Sequence, residues 1–87
     1  MRIWVKVYDE ARLVKSETID NFEEDTRTHK ILDALERACK MFDLANPLWL
    51  DSNINEFKKN SKTRFYQDNF VEEIDFDYLE LHVIEED

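Results

Sequence analysis

Phe76–Glu85 reads FDYLELHVIE, and its alternation decides how the chain is built. Leu79, Leu81 and Val83 fall on one side of a period-two pattern, with Tyr78, Glu80, His82 and Ile84 on the other. An apolar side this regular implies a strand in the middle of a sheet, with its odd positions in the core. The even positions then belong to the opposite face. Everything N-terminal to this strand has to supply its neighbours and the layer that covers it.

Arg2–Tyr8, RIWVKVY, alternates in the same way: Ile3, Val5 and Val7 lie on one side, Trp4, Lys6 and Tyr8 on the other. Asp9–Arg12 supplies a turn, and residues 13–19, LVKSETI, supply a return strand, so a β-hairpin opens the chain. After the acidic connection Asn21–Thr26, with Asp25 or Thr26 as N-cap, the residues from Arg27 to about Asp43 follow helical spacing. Ile31, Leu32, Leu35, Ala38, Cys39 and Phe42 form one stripe, and Lys30, Asp33, Glu36, Arg37 and Lys40 lie opposite. One apolar stripe covers one sheet face. Pro47 disfavours helix at Asn46, Leu48–Leu50 reads as a short strand, and residues 51–62 read as a turn with a short helix over Ile54–Lys59. Thr63–Gln67 reads as another short strand before the final one. The expected whole is a single α+β domain over residues 1–87, with the last strand beside the first and parallel to it, under the helix.

That order, together with the MRIWVKV opening, resembles the β-grasp architecture of ubiquitin-like domains. A ferredoxin-like α/β sandwich is the alternative, with residues 51–62 as its second helix. The resemblance to β-grasp proteins implies functions that these residues do not carry. Modifiers and sulfur carriers of that architecture end in Gly-Gly, whereas this chain ends Glu85, Glu86, Asp87, and its one cysteine cannot hold an iron–sulfur cluster. The chain also resembles small bacterial proteins of unknown function that share its HKI…ALE stretch (His29–Glu36) and its EIDFDYLE stretch (Glu73–Glu80). That likeness implies no activity.

Composition narrows the function classes further. In 87 residues only about 60 to 65% of the unfolded chain's surface can be buried, so stability rests on one core. With no glycine, a P-loop or dinucleotide fingerprint is ruled out. A lone cysteine, no apolar leader and no long apolar run point to the cytoplasm rather than to a membrane or an oxidising compartment. The net charge is −9 and uneven: the last twenty residues hold nine acids and no Lys or Arg. Direct binding of nucleic acid through that segment is disfavoured, because such affinity rests on cations displacing counterions.

No grouping of side chains has the spacing of a catalytic, cofactor or metal site, so none is expected and an enzyme ranks last. Cys39 belongs to the helix stripe, where a small buried thiol is structural. His29 and His82 suit surface or partner contacts. The carboxylates Glu72, Glu73, Asp75 and Asp77 lack a ligand-loop pattern and read as solvated surface. Lys58, Lys59, Lys62 and Arg64, interleaved with Phe57, Phe65 and Tyr66, could meet phosphates, but they read as partners for the chain's own acidic tail.

The expected binding surface is the sheet face away from the helix: Trp4, Tyr8, Tyr78, Glu80, His82 and Ile84. Trp and Tyr on an otherwise wet sheet face are the residue types of binding hot spots. The expected function is therefore a small non-catalytic module that binds another protein, or a second copy, through that face. A nucleic-acid mimic that blocks a DNA- or RNA-binding protein is the alternative, weakened because the acid series at Asp75 and Asp77 gives way to Leu79, Leu81 and Val83.

Overall fold

The computed structural model describes residues 1–87. In chain order the elements are β1 (Arg2–Asp9), β2 (Arg12–Asp20), α1 (Arg27–Met41), α2 (Asp51–Asn60), β3 (Lys62–Phe65), a 3-10 turn (Gln67–Asn69) and β4 (Tyr78–Glu85). The strands form one antiparallel sheet in the order β2-β1-β4-β3. It is an α+β fold with both helices between the two strand pairs.

β1 and β2 form the opening hairpin, with Asp9 opposite Arg12. Its two loop residues, Glu10 (φ 52°) and Ala11 (φ 62°), take the left-handed geometry that favours glycine, which this chain lacks. The Asp77 carboxylate accepts the Glu10 N–H at 2.9 Å and fastens the loop to the start of β4. Beyond the loop, a bulge at Val14 shifts the register.

β4 runs antiparallel to β1, with Tyr78 opposite Tyr8 and Glu85 opposite Arg2, not parallel as the β-grasp resemblance implies. β3 already runs in the direction of β1, and β4 is its return strand, filling the gap between the two. The alternation of strands and helices in a ferredoxin-like sandwich is not followed either, because α1 and α2 are consecutive.

α1 starts where Thr26 accepts the His29 N–H at 3.2 Å and lays Ile31, Ala34, Leu35, Ala38 and Cys39 on the sheet, with Phe42 at its C-cap. Two residues trade the places their polarity suggests. Leu32 is 45% exposed, while Lys30 is only 4% exposed. The Lys30 stem lies on the buried side and its ammonium reaches Asp87 at 2.6 Å, where the Met1 amine also pairs, again at 2.6 Å. The core holds Ile3, Val5, Val7, Leu79, Leu81 and Val83 from the two central strands, with Phe57 from α2 and Phe65 from β3.

Leu48–Leu50 is an extended segment rather than a strand, and Asp51–Asn60 is a full helix rather than a short one. Both follow from a buried amide pair. Asn69 accepts the Tyr66 N–H and donates to the Leu48 carbonyl at 2.8 Å, which gives the segment the partner that a neighbouring strand would have supplied. Asn53 accepts from Asn69 at 2.7 Å and from the Leu50 N–H at 3.0 Å, closing the start of α2. It donates to the Thr63 hydroxyl and the Arg64 carbonyl, each at 2.9 Å. Every polar atom is partnered, so the cost of burying the amides is offset.

Candidate functional site

The helices cover one side of the sheet only. In register across the other side lie Thr18 and Ser16 from β2, Trp4, Lys6 and Tyr8 from β1, His82, Glu80 and Tyr78 from β4, and Lys62 and Arg64 from β3. Period-two alternation puts them there, since their neighbours in sequence are the core residues.

At the centre is an ion group that is almost as buried as the core. Lys6 is 6% exposed and Glu80 4% exposed, and they pair at 2.9 Å. The second Glu80 oxygen accepts from Arg64 at 3.0 Å. Aromatic rings shield the group: the Lys6 ammonium lies 3.7 Å from the centre of the Trp4 ring and 5.6 Å from that of Tyr8, and the Arg64 guanidinium lies 4.6 Å from that of Tyr78. Tyr8, Tyr78 and Tyr66 form a row with centroids 5.2 and 5.5 Å apart. The Trp4 indole N–H donates to Ser16 at 2.7 Å, which fixes the ring across the hairpin.

Electrostatics follow from this packing. Burial alone would raise the Glu80 carboxyl, but hydrogen bonds from Lys6 and Arg64 and their charges outweigh it and hold the group below the usual carboxylate range. The His82 imidazole sits below its ordinary value because of burial, helped by the positive charges of Lys62 and Lys6 against the opposing Glu80. At neutral pH the centre of the face therefore carries three cations, Lys6, Lys62 and Arg64, against the Glu80 carboxylate, while at its end Arg2 pairs with Asp20 and Glu85.

Of the six residues expected to form the binding face, Trp4, Tyr8, Tyr78 and His82 come together half-buried on adjacent strands. Glu80 joins them as the buried anchor beneath the surface. Ile84 is exposed at the β4 bulge, beside the group rather than in it. Lys62, Arg64 and Tyr66 are additions, brought in by the pairing of β3 with β4. Only the alternation of KTRF hints at this, and four residues do not reveal their neighbour.

Of the basic cluster only Arg64 pairs with the acidic C-terminal segment, through Glu80, while Glu86 and Asp87 at its end are held by Arg27 and Lys30. Cys39 is buried, and burial pushes its thiol up to about 11. His29 is at the surface at the start of α1, beside Asp25 at 3.0 Å. Asp77 is occupied by the hairpin loop, while Glu72, Glu73 and Asp75 border a shallow depression with Phe70 and Phe76. An apolar groove of about 320 Å³ between the helices is lined by Ile31, Leu32, Trp49, Ile54 and Phe57. No helix is long and apolar enough to cross a membrane.

Comparison with known protein families, characterised proteins and solved structures finds no match for this chain. The geometry of the open face therefore carries the functional reading alone.

Proposed function

We propose that this chain is a non-catalytic protein-binding module whose contact surface is the open sheet face. The observation that carries this reading is the half-exposed cluster of Trp4, Tyr8, Tyr78 and His82 over the Lys6–Glu80–Arg64 group. A sheet held in register by a satisfied ion group presents its rings in one arrangement, so binding orders few side chains. The positive balance at its centre suits a protein surface with carboxylates around an apolar patch. A single-stranded nucleic acid is the competing ligand, because aromatics beside Lys6, Lys62 and Arg64 can stack bases and meet phosphates. The net charge of −9 works against it.

The test is capture from native cell extract at low and high salt, with and without nuclease, using the wild-type chain and a Trp4→Ser/Tyr8→Ser/Tyr78→Ser variant. A protein retained by the wild type after nuclease and lost by the variant supports the reading, provided circular dichroism shows the variant folded. Tyr78→Ser alone serves if the triple change unfolds the chain. Identical partners for wild type and variants would sink the proposal, and nuclease-sensitive capture would transfer the face to nucleic acid.

A further inference from the structure

The two edges of the sheet are finished differently. On the β3 side the edge is four residues long and already occupied by α2: Glu56 accepts the Arg64 N–H at 3.1 Å, and Asn53 donates to the Arg64 carbonyl at 2.9 Å. On the β2 side the edge is nine residues long. The Tyr8 carbonyl accepts from Asp77, so the backbone of Tyr8 points toward β4, and by alternation so do those of Lys6 and Trp4. Ser16 and Thr18, opposite Lys6 and Trp4, therefore turn their N–H and C=O groups outward. No hydrogen bond outside the β1–β2 ladder reaches the backbone of Val14, Ser16 or Thr18.

That edge is complementary to itself. Laid antiparallel against a second copy with Ser16 on the two-fold axis, β2 places Lys15 opposite Glu17 of the other copy, twice, and Val14 opposite Thr18. Lys15 and Glu17 share the helix side of the sheet, since they pair with Val7 and Val5, so they meet on one face as cross-strand pairing requires. A lysine in mid-strand normally guards an open edge, but here the Lys15 ammonium is turned inward and donates to the Phe42 carbonyl at 2.9 Å, and in the antiparallel arrangement the other copy's Glu17 comes beside its stem. The bulge at Val14 turns the facing of residues 12 and 13, which limits the match to the five residues 14–18.

We propose that the partner of the β2 edge is a second copy of this chain, paired antiparallel through residues 14–18 about an axis at Ser16. The closed two-fold arrangement ends growth at a dimer and joins the two sheets into one of eight strands. Both open faces then lie on the same side, with the two β1 strands about 14 Å apart, three strand spacings. The inference does not depend on what the open face binds.

Because five residues a side make a small interface, the dimer forms with a dissociation constant of roughly 10 to 500 μM. Sedimentation equilibrium of the full chain across that range shows a monomer–dimer equilibrium. Ser16→Pro removes an outward N–H that β1 does not use, so the chain stays folded and the dimer is lost. Glu17→Lys and Lys15→Glu each put like charges opposite each other and weaken self-association about tenfold or more, whereas an equimolar mixture of the two restores it. Ser16→Cys cross-links to a covalent dimer under mild oxidation and Thr18→Cys does not, while buried Cys39 stays silent. A wild type monomeric throughout the range, charge variants whose mixture recovers nothing, or equal cross-linking at both cysteines would overturn the proposal. Should Ser16→Pro fail to fold, the mixing experiment decides alone.

Discussion

The two faces of the sheet are built from the same strands, with β1 and β4 alternating residue by residue between them, yet they reach similar burial by opposite means. Under the helices Ile3, Val5, Val7, Leu79, Leu81 and Val83 are buried because apolar surface is best kept from water. On the other side Lys6 and Glu80 are nearly as buried with no helix above them. Neighbouring side chains alone cover them, and charge pairing offsets their desolvation. The first face tolerates nothing missing, whereas the second depends on nothing being left unpaired.

The largest effect separating the faces is expected from Leu81→Ala, which opens a cavity in the centre of the core and costs about 3 to 4 kcal/mol in urea unfolding. Glu80→Leu costs about 3 kcal/mol by stranding the buried Lys6 ammonium, and Lys6→Met/Glu80→Leu recovers to within about 1 kcal/mol of wild type. No second change rescues Leu81→Ala in that way. If the double variant is as unstable as Glu80→Leu, the ion group is not an isolated unit. Asn53→Ala removes the shared partner of Asn69, Thr63 and Leu50 and costs about 2 kcal/mol, an intermediate case because the hole left on the core side is polar.

The smallest effect is in pH dependence. A histidine held below its ordinary value favours the folded state fully above pH 6.5 and loses that contribution as pH falls through its folded value. Glu80, also held low, contributes above pH 4.5 and loses its share as pH falls further. Stability measured against pH thus declines shallowly below 6.5 and more steeply below 4.5. His82→Gln removes only the shallow part, and a profile unchanged by that substitution would show His82 free of the charge field described for it.

The alternation of Ile3, Val5 and Val7 against Trp4, Lys6 and Tyr8 was legible because the period of a strand assigns faces before any partner is known. The α1 stripe, apart from exposed Leu32, and a helix start capped at Asp25 or Thr26 were legible for the same local reason, and the structure selects Thr26. Lys30 was not, since its acceptor Asp87 is fifty-seven positions away and comes close only after the sheet has formed. Asn53 fell in the segment read as a turn with a short helix and Asn69 drew no reading, because nothing near them in sequence reveals that each completes the other's hydrogen bonds. β3 appeared as a short strand without a neighbour, so Arg64 was assigned to a loose basic cluster rather than to Glu80.

What the sequence determined by itself was the pair of central strands, the opening hairpin, the first helix and the division of side chains between two faces, all of which follow from local periodicity and steric preference. Only the tertiary structure decided that β4 runs antiparallel to β1, that a second full helix closes the core, and that Lys6, Glu80 and Arg64 make one buried group. Strand direction and charge pairing are set by residues distant in the chain, whose energies are comparable for several arrangements until the whole core is packed.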